Sequence, residues 1–193
     1  MNYSIVTQPS VEPLTLSEVK IYLRVDGTTE DNLITALIVA ARQHIENYTW
    51  RPLCTQTWNL NLDYSEVKEY IGVSKAPVQS ITHIKYFDAT ETQQTVSTGD
   101  YQSDVINEPA RIHFYDLPSV YDRMNTMEIR FVCGYGVAAS VPDAIKEAMY
   151  MLIGHWYQHR EAVVPTGSGG MREVPMGVEA LLNPYRNSWF FPY

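Results

Sequence analysis

The chain has 193 residues, of which 45% are hydrophobic and 19% charged, with 14 lysines and arginines against 22 aspartates and glutamates for a net charge of −8. That length supports one sizeable core or two small ones, and the composition excludes a disordered, fibrous or disulfide-stapled class. The acidic balance argues against a surface built to grip phosphates, and the longest strongly apolar run, Leu33 to Ala41, falls far short of the roughly 20 residues of a membrane span.

The N-terminus, MNYSIVTQPSVEP, lacks the basic region and long apolar stretch of a secretory signal, so the chain is expected to stay where it is made. Thr15-Leu16-Ser17-Glu18 then reads as a capping box that starts a short helix over about 16–24. Asp26-Gly27 breaks it. Thr28 or Thr29 caps a second helix, in which Leu33, Ile34, Leu37, Ile38, Ala41, Ile45 and Tyr48 recur at the helical period and Pro52 forces an end near Trp50.

From Thr55 the period shortens to two. Gln56, Trp58, Leu60 and Leu62 alternate with Thr57, Asn59 and Asn61, as on a half-buried strand. Further strands are expected over 70–73, 78–87, 92–96, 101–105, 111–115 and 127–133, separated by turn chemistry such as Asp88-Ala89-Thr90 and Thr98-Gly99-Asp100. So many short strands predict a compact antiparallel sheet or small sandwich. This middle stretch also holds most of the acid, 11 acidic against 6 basic residues over 55–139.

After Gly134-Tyr135-Gly136 the helical period returns. Ser140 is positioned to cap, Pro142 suits the first turn, and Ile145, Ala148, Met149, Leu152 and Trp156 form an apolar stripe. On a second face, Gly154 falls between Tyr150 and Tyr157, which lets another helix approach closely, from a neighbouring subunit or from the same chain. A glycine there costs about 1 kcal/mol relative to alanine, a hint of a packing reason. Residues 163–175 are rich in Gly, Pro and Ser and read as a loop. A short helix over about 177–182 precedes Asn183-Pro184 and a run of aromatics, Tyr185, Trp189, Phe190, Phe191 and Tyr193. These aromatics are expected to be buried against the chain itself, a neighbour or a partner, since exposed they form a patch that soluble monomers rarely tolerate.

The expected fold is therefore α+β. A helical bundle built from residues 1–54 and 137–193 forms one body, with an antiparallel β insertion over 55–136.

Candidate chemistry is sparse. His155 and His159 stand four apart, but Trp156-Tyr157-Gln158 between them lacks the glutamate that zinc-dependent hydrolysis needs, and polar packing accounts for them better. His44, His83 and His113 are isolated. Cys54 and Cys133 suggest a reducing compartment and no disulfide framework. Gly167-Ser168-Gly169-Gly170 is followed by no lysine, so it is a loop and not a phosphate cradle. No catalytic, cofactor-binding or metal residue is assigned, and a binding or structural protein is favoured over an enzyme.

Leu14-Thr15-Leu16-Ser17-Glu18 with Leu23-Arg24-Val25-Asp26, Ala40-Ala41-Arg42 with Ile45-Glu46 and Tyr48-Thr49, and Gln56-Thr57-Trp58 resemble, in order, the head-to-tail connector (adaptor) family of tailed bacteriophages and prophages. The resemblance continues through Pro77 to Ile81, Asp100-Tyr101, Pro109-Ala110-Arg111, Arg130 to Gly136, Val141-Pro142, His155-Trp156-Tyr157, Arg160 to Val163 and Pro175 to Leu182. It covers about residues 14–186 and stops before the aromatic extension at Asn187.

The resemblance implies a structural protein of the virion neck, assembled in the host cytoplasm. It implies a ring, usually of twelve copies, beneath the portal protein, with head-completion and tail proteins docked below and DNA sliding through without sequence-specific binding. It supplies no catalytic residue, cofactor or metal, and no membrane contact. Tyr150, Gly154, Tyr157 and the aromatics Tyr185, Trp189, Phe190, Phe191 and Tyr193 are the expected interface residues. The alternative is another non-catalytic neck protein for head or tail completion.

Overall fold

The computed structural model describes residues 1–159 and 176–187. The fold is α+β with antiparallel sheets, and the chain divides into two compact units. One comprises residues 1–10 and 54–135 with Asn187; the other comprises 11–53 and 136–186.

The first unit holds eight strands among the described residues: β1 (Asn2–Thr7), β2 (Gln56–Leu62), β3 (Tyr70–Val73), β4 (Val78–Phe87), β5 (Gln93–Thr95), β6 (Tyr101–Asp104), β7 (Ala110–Phe114) and β8 (Met127–Cys133). They form a five-stranded sheet in the order β1-β2-β8-β4-β5 and a three-stranded sheet in the order β3-β7-β6. Both are antiparallel throughout.

The two-residue period sets the faces. In β8, Met127, Ile129, Phe131 and Cys133 alternate inward, and the register places Leu60 and Ile84 on either side of Ile129. The inner residues of both sheets, among them Leu60, Ile71, Ile84, Ile112, Phe114, Ile129 and Phe131, share one buried cluster. The two sheets thus face each other through a single core, as a small sandwich does.

The sequence pattern gives no expectation of β1. It is an edge strand with mostly exposed side chains, so alternation leaves little trace in its residues. One residue anchors it: the Tyr3 ring meets Phe131 edge-on at 6.3 Å, and its hydroxyl accepts a hydrogen bond from the Ser74 N–H at 2.8 Å. Burial pushes the Tyr3 pKa up.

Gly134 ends β8 for a steric reason. Its φ is +111°, and a Cβ there would stand 2.3 Å from the Cys54 carbonyl oxygen. Its N–H bonds the Pro77 carbonyl at 2.9 Å. Only glycine fits both the backbone angle and the space.

The second unit carries α1 (Leu16–Leu23), α2 (Asp31–Thr49), α3 (Asp143–Gln158) and α4 (Met176–Leu182). Helix α3 packs against α1, α2 and α4, and α1 also packs against α2. Val19, Ile34, Ile38, Ala41, Ile45, Ile145, Ala148, Met149, Leu152, Ile153, Val178 and Leu182 are buried, while Leu33, expected on the α2 stripe, is exposed and Leu37, Tyr48 and Trp156 are half-buried. No described helix is long and apolar enough to cross a membrane.

The capping box at Thr15 and Glu18 is present, with the Glu18 N–H donating to the Thr15 hydroxyl at 3.3 Å and the Thr15 N–H donating to the Glu18 carboxylate at 2.8 Å. The other caps differ from expectation. Helix α2 starts at Glu30 without a side-chain cap, because the Thr28 carbonyl is bonded by the Asp31 N–H in a backbone turn, and Lys20 ties down Asp31 at 2.6 Å and the Gly27 carbonyl. Ser140 lies in its own 3-10 turn (Ala138–Ser140), and Pro142 takes the N-cap of α3. Trp50 closes α2 in the left-handed region at φ 60°.

Buried Arg42 knits the start of this unit to α2. Its Nε donates to Glu12 and its Nη1 to Glu46, each at 2.7 Å, while Glu46 also accepts from the Leu53 N–H at 2.8 Å. The Coulombic pull of both carboxylates outweighs the cost of burial and holds the guanidinium charged.

Candidate functional site

The second face of α3 meets α1. The rings of Tyr150 and Tyr22 lie 4.9 Å apart, and a Cβ built on Gly154 would stand 3.2 Å from Tyr22 Cε1. Tyr157 donates its hydroxyl hydrogen to the Glu30 carboxylate. The three residues picked by their spacing are therefore brought together, and the helix lying over Gly154 is α1 of the same chain. Burial, helped by the charges of Glu18 and Glu147, pushes the Tyr150 pKa up.

Tyr185 sits apart from that seam, in the 3-10 turn Asn183–Tyr185 after α4. Its carbonyl accepts from Arg51 Nε at 2.6 Å, and beside it the Tyr48 hydroxyl donates to Asn183 at 2.8 Å. Trp189, Phe190, Phe191 and Tyr193 lie outside the described residues. So does the Gly167 to Gly170 loop.

The histidines and cysteines occupy packing positions. His155 and His159 stack edge to face at 4.9 Å, His44 packs edge-on against Trp156 at 5.8 Å, and His83 contacts Glu128 at 3.1 Å. Cys54 and Cys133 are both buried and not joined in a disulfide. Among the described residues no group of three or more His, Cys, Asp or Glu is placed to hold a metal.

The outer face of the three-stranded sheet carries a surface that spacing alone did not single out. Tyr70 stacks on His113 at 4.3 Å with planes 9° apart, and Tyr115 meets the same imidazole edge-on at 5.3 Å. The Tyr115 hydroxyl donates to Gln102 at 3.0 Å, and His113 contacts Glu69 at 3.0 Å. At one end Asp104 receives the backbone N–H groups of Ile106 and Asn107, at 3.1 and 3.2 Å, and the Arg111 guanidinium at 2.5 Å. The Arg111 charge, followed by the Asn107 amide, holds the Asp104 carboxyl well below the usual carboxylate range. The loop so pinned presents Ile106, 92% exposed, beside a concavity of about 680 Å³. The available signal was an isoleucine set in the polar turn Asp104-Val105-Ile106-Asn107-Glu108.

A family model described as head completion protein matches residues 12–188. No curated protein matches the sequence. Among solved structures, a chain in the neck of an empty gene transfer agent (GTA) particle computed with C6 symmetry is similar, with a TM-score of 0.77 and 23% identity over 97% of this chain and 96% of that one. A chain in the virion of the native GTA particle gives 0.72 and 24%, and one in the native neck computed with C12 symmetry gives 0.73 and 22%, each with the same coverage.

Proposed function

We propose that this chain, which belongs to the head completion protein family and is a structural protein of the phage head-to-tail junction, forms one subunit of a ring beneath the portal. The ring joins the portal to the proteins of the tail while DNA passes through, and its work involves no catalytic residue, cofactor or metal. The observation that carries the reading is the family match over residues 12–188. Similarity to GTA neck chains along nearly the whole length supports the same placement. The twelvefold ring follows by analogy with the neck computed with C12 symmetry. A net charge of −8 suits a channel through which a polyanion slides without sticking. The helices of residues 11–53 and 136–186 are the proposed ring body, assembled in the host cytoplasm and carried in the virion neck.

The test is the native mass of the purified protein alone and mixed with the portal of the same particle. A portal complex with a fixed multiple of this chain, twelve by expectation, is the predicted result. Absence of any portal complex, with binding to tail-side proteins instead, moves the chain to the second reading. That second reading is a head-completion component docked below the adaptor ring, supported by the chain's membership of the head completion protein family.

The segment with Trp189, Phe190, Phe191 and Tyr193 is proposed as a docking peptide for the portal or a neighbouring subunit, since so many large aromatics in a short stretch call for burial against something. Asn187 donates to the Ser74 carbonyl, so truncation is best made after it. Loss of residues 188–193 is expected to leave the melting temperature unchanged and to abolish portal binding. A destabilised protein that still binds portal normally contradicts this.

A further inference from the structure

We propose that the outer face of the β3-β7-β6 sheet, from Tyr70 through Tyr115 to Ile106, is a docking surface for a different protein of the particle, one presenting an apolar pocket ringed by basic residues. The inference rests on the reading that the chain sits in the neck.

Three observations carry it. First, three large side chains are displayed together: Ile106 is 92% exposed, Tyr70 64% and Tyr115 63%. Scattered single exposures need no explanation, but a clustered apolar and aromatic patch on a folded scaffold marks an interaction site. Secondly, the patch is held in shape before any partner arrives. Tyr70 and Tyr115 are fixed against the same imidazole, and Asp104 pins the Ile106 loop through two backbone N–H groups and Arg111. Pre-organisation of this kind lowers the ordering cost of association.

Thirdly, the rim selects the partner. Glu69, Asp100 and Asp116 are exposed in the segments that carry the patch, against the cations Lys68 and Arg111, of which Arg111 is already paired with Asp104. An apolar centre with an acidic rim complements a basic rim around an apolar pocket. A second copy presenting this same face fits poorly, because its own Glu69, Asp100 and Asp116 would lie against these.

A photo-crosslinking amino acid placed at Ile106, in a chain assembled into particles, tests this directly. The expected product joins this chain to a different protein, at a peptide containing lysine or arginine. In parallel, Ile106→Asp is expected to weaken capture of that partner by about 30-fold, as loss of a central anchor does, with an unchanged melting temperature. A crosslink to another copy of this chain, or none in particles that contain the chain, overturns the docking surface and leaves the neck reading standing. Absence of the unmodified chain from particles overturns the neck reading, and the docking proposal falls with it.

Discussion

Tyr22 Cε1 lies 3.2 Å from the point a Cβ on Gly154 would occupy, so α1 and α3 meet through an aromatic ring laid on a glycine. That distance leaves room for a methyl group only if Tyr22 yields by a few tenths of an ångström. Leucine is far too large. Gly154→Leu is expected to lower unfolding free energy by about 1–3 kcal/mol, and Tyr22→Ala in the same chain is expected to recover part of it. Urea unfolding of both single variants and the double variant checks this, and additive losses would refute a shared contact.

Gly134→Ala is expected to be more damaging than any change at Gly72. The first combines φ +111° with a Cβ 2.3 Å from a carbonyl oxygen, whereas nothing lies within 4 Å of a Cβ on Gly72. Strained backbone alone costs about 1–3 kcal/mol, and the clash adds to it. Gly72→Ala should stay within about 0.5 kcal/mol of the parent. Equal thermal stability of the two variants would dismiss the steric account.

Arg42→Leu is expected to cost about 3–5 kcal/mol, because it leaves two carboxylates facing each other without their shared cation. Arg42 is only 3% exposed, so added salt should not replace the loss as it would for a surface pair. Denaturant unfolding at low and high ionic strength reads both effects.

Acid should remove stability through Asp88. Hydrogen bonds from Thr90 first, then Gln94 and the Thr92 N–H, lower its pKa from 3.8 to about 2. A carboxyl lowered on folding contributes stability that is complete above its unfolded pKa and is lost as pH falls through the folded one. The window therefore runs from about pH 4 down to about pH 2. Asp88→Asn should flatten the melting temperature across that window relative to the parent, and an unchanged slope would show that the turn contributes nothing.

Duplex DNA should bind this protein no tighter than about 10⁻⁴ M at physiological salt, the level of ordinary non-specific contact. The 11 acidic against 6 basic residues of 55–139 repel phosphates. Sub-micromolar binding with a steep salt slope would contradict a channel built not to hold its cargo.

The interior of both units was legible because burial imposes a period. The two-residue period of β2 buries Gln56, Leu60 and Leu62 as it was read to, although Asn59 is buried too and Trp58 only half-buried, and the stripe Ile145, Ala148, Met149, Leu152 is buried throughout. The α1 capping box was legible because it needs only residues three apart. Elements that depend on distant partners were not. Edge strand β1 is paired on one side only and shows no clear alternation, and the caps of α2 and α3 are settled by backbone turns and Lys20. At the candidate site the glycine and its two tyrosines announced a close approach, but the sequence did not name Tyr22 as the residue that makes it. Nor could it show that Tyr70, His113 and Tyr115, drawn from two strands and a loop, share one stack.

The strand order β1-β2-β8-β4-β5 puts the last-made strand at the centre of the larger sheet. During synthesis, β2 and β4 emerge with the edges that β8 will later fill still open, and they stay so until Cys133 has left the ribosome. Closure of this sheet is thus a single late event with long loops to span, the circumstance that slows folding. A nascent chain stalled or cleaved before Met127 would present two unpaired strand edges, the feature from which intermolecular β-pairing starts.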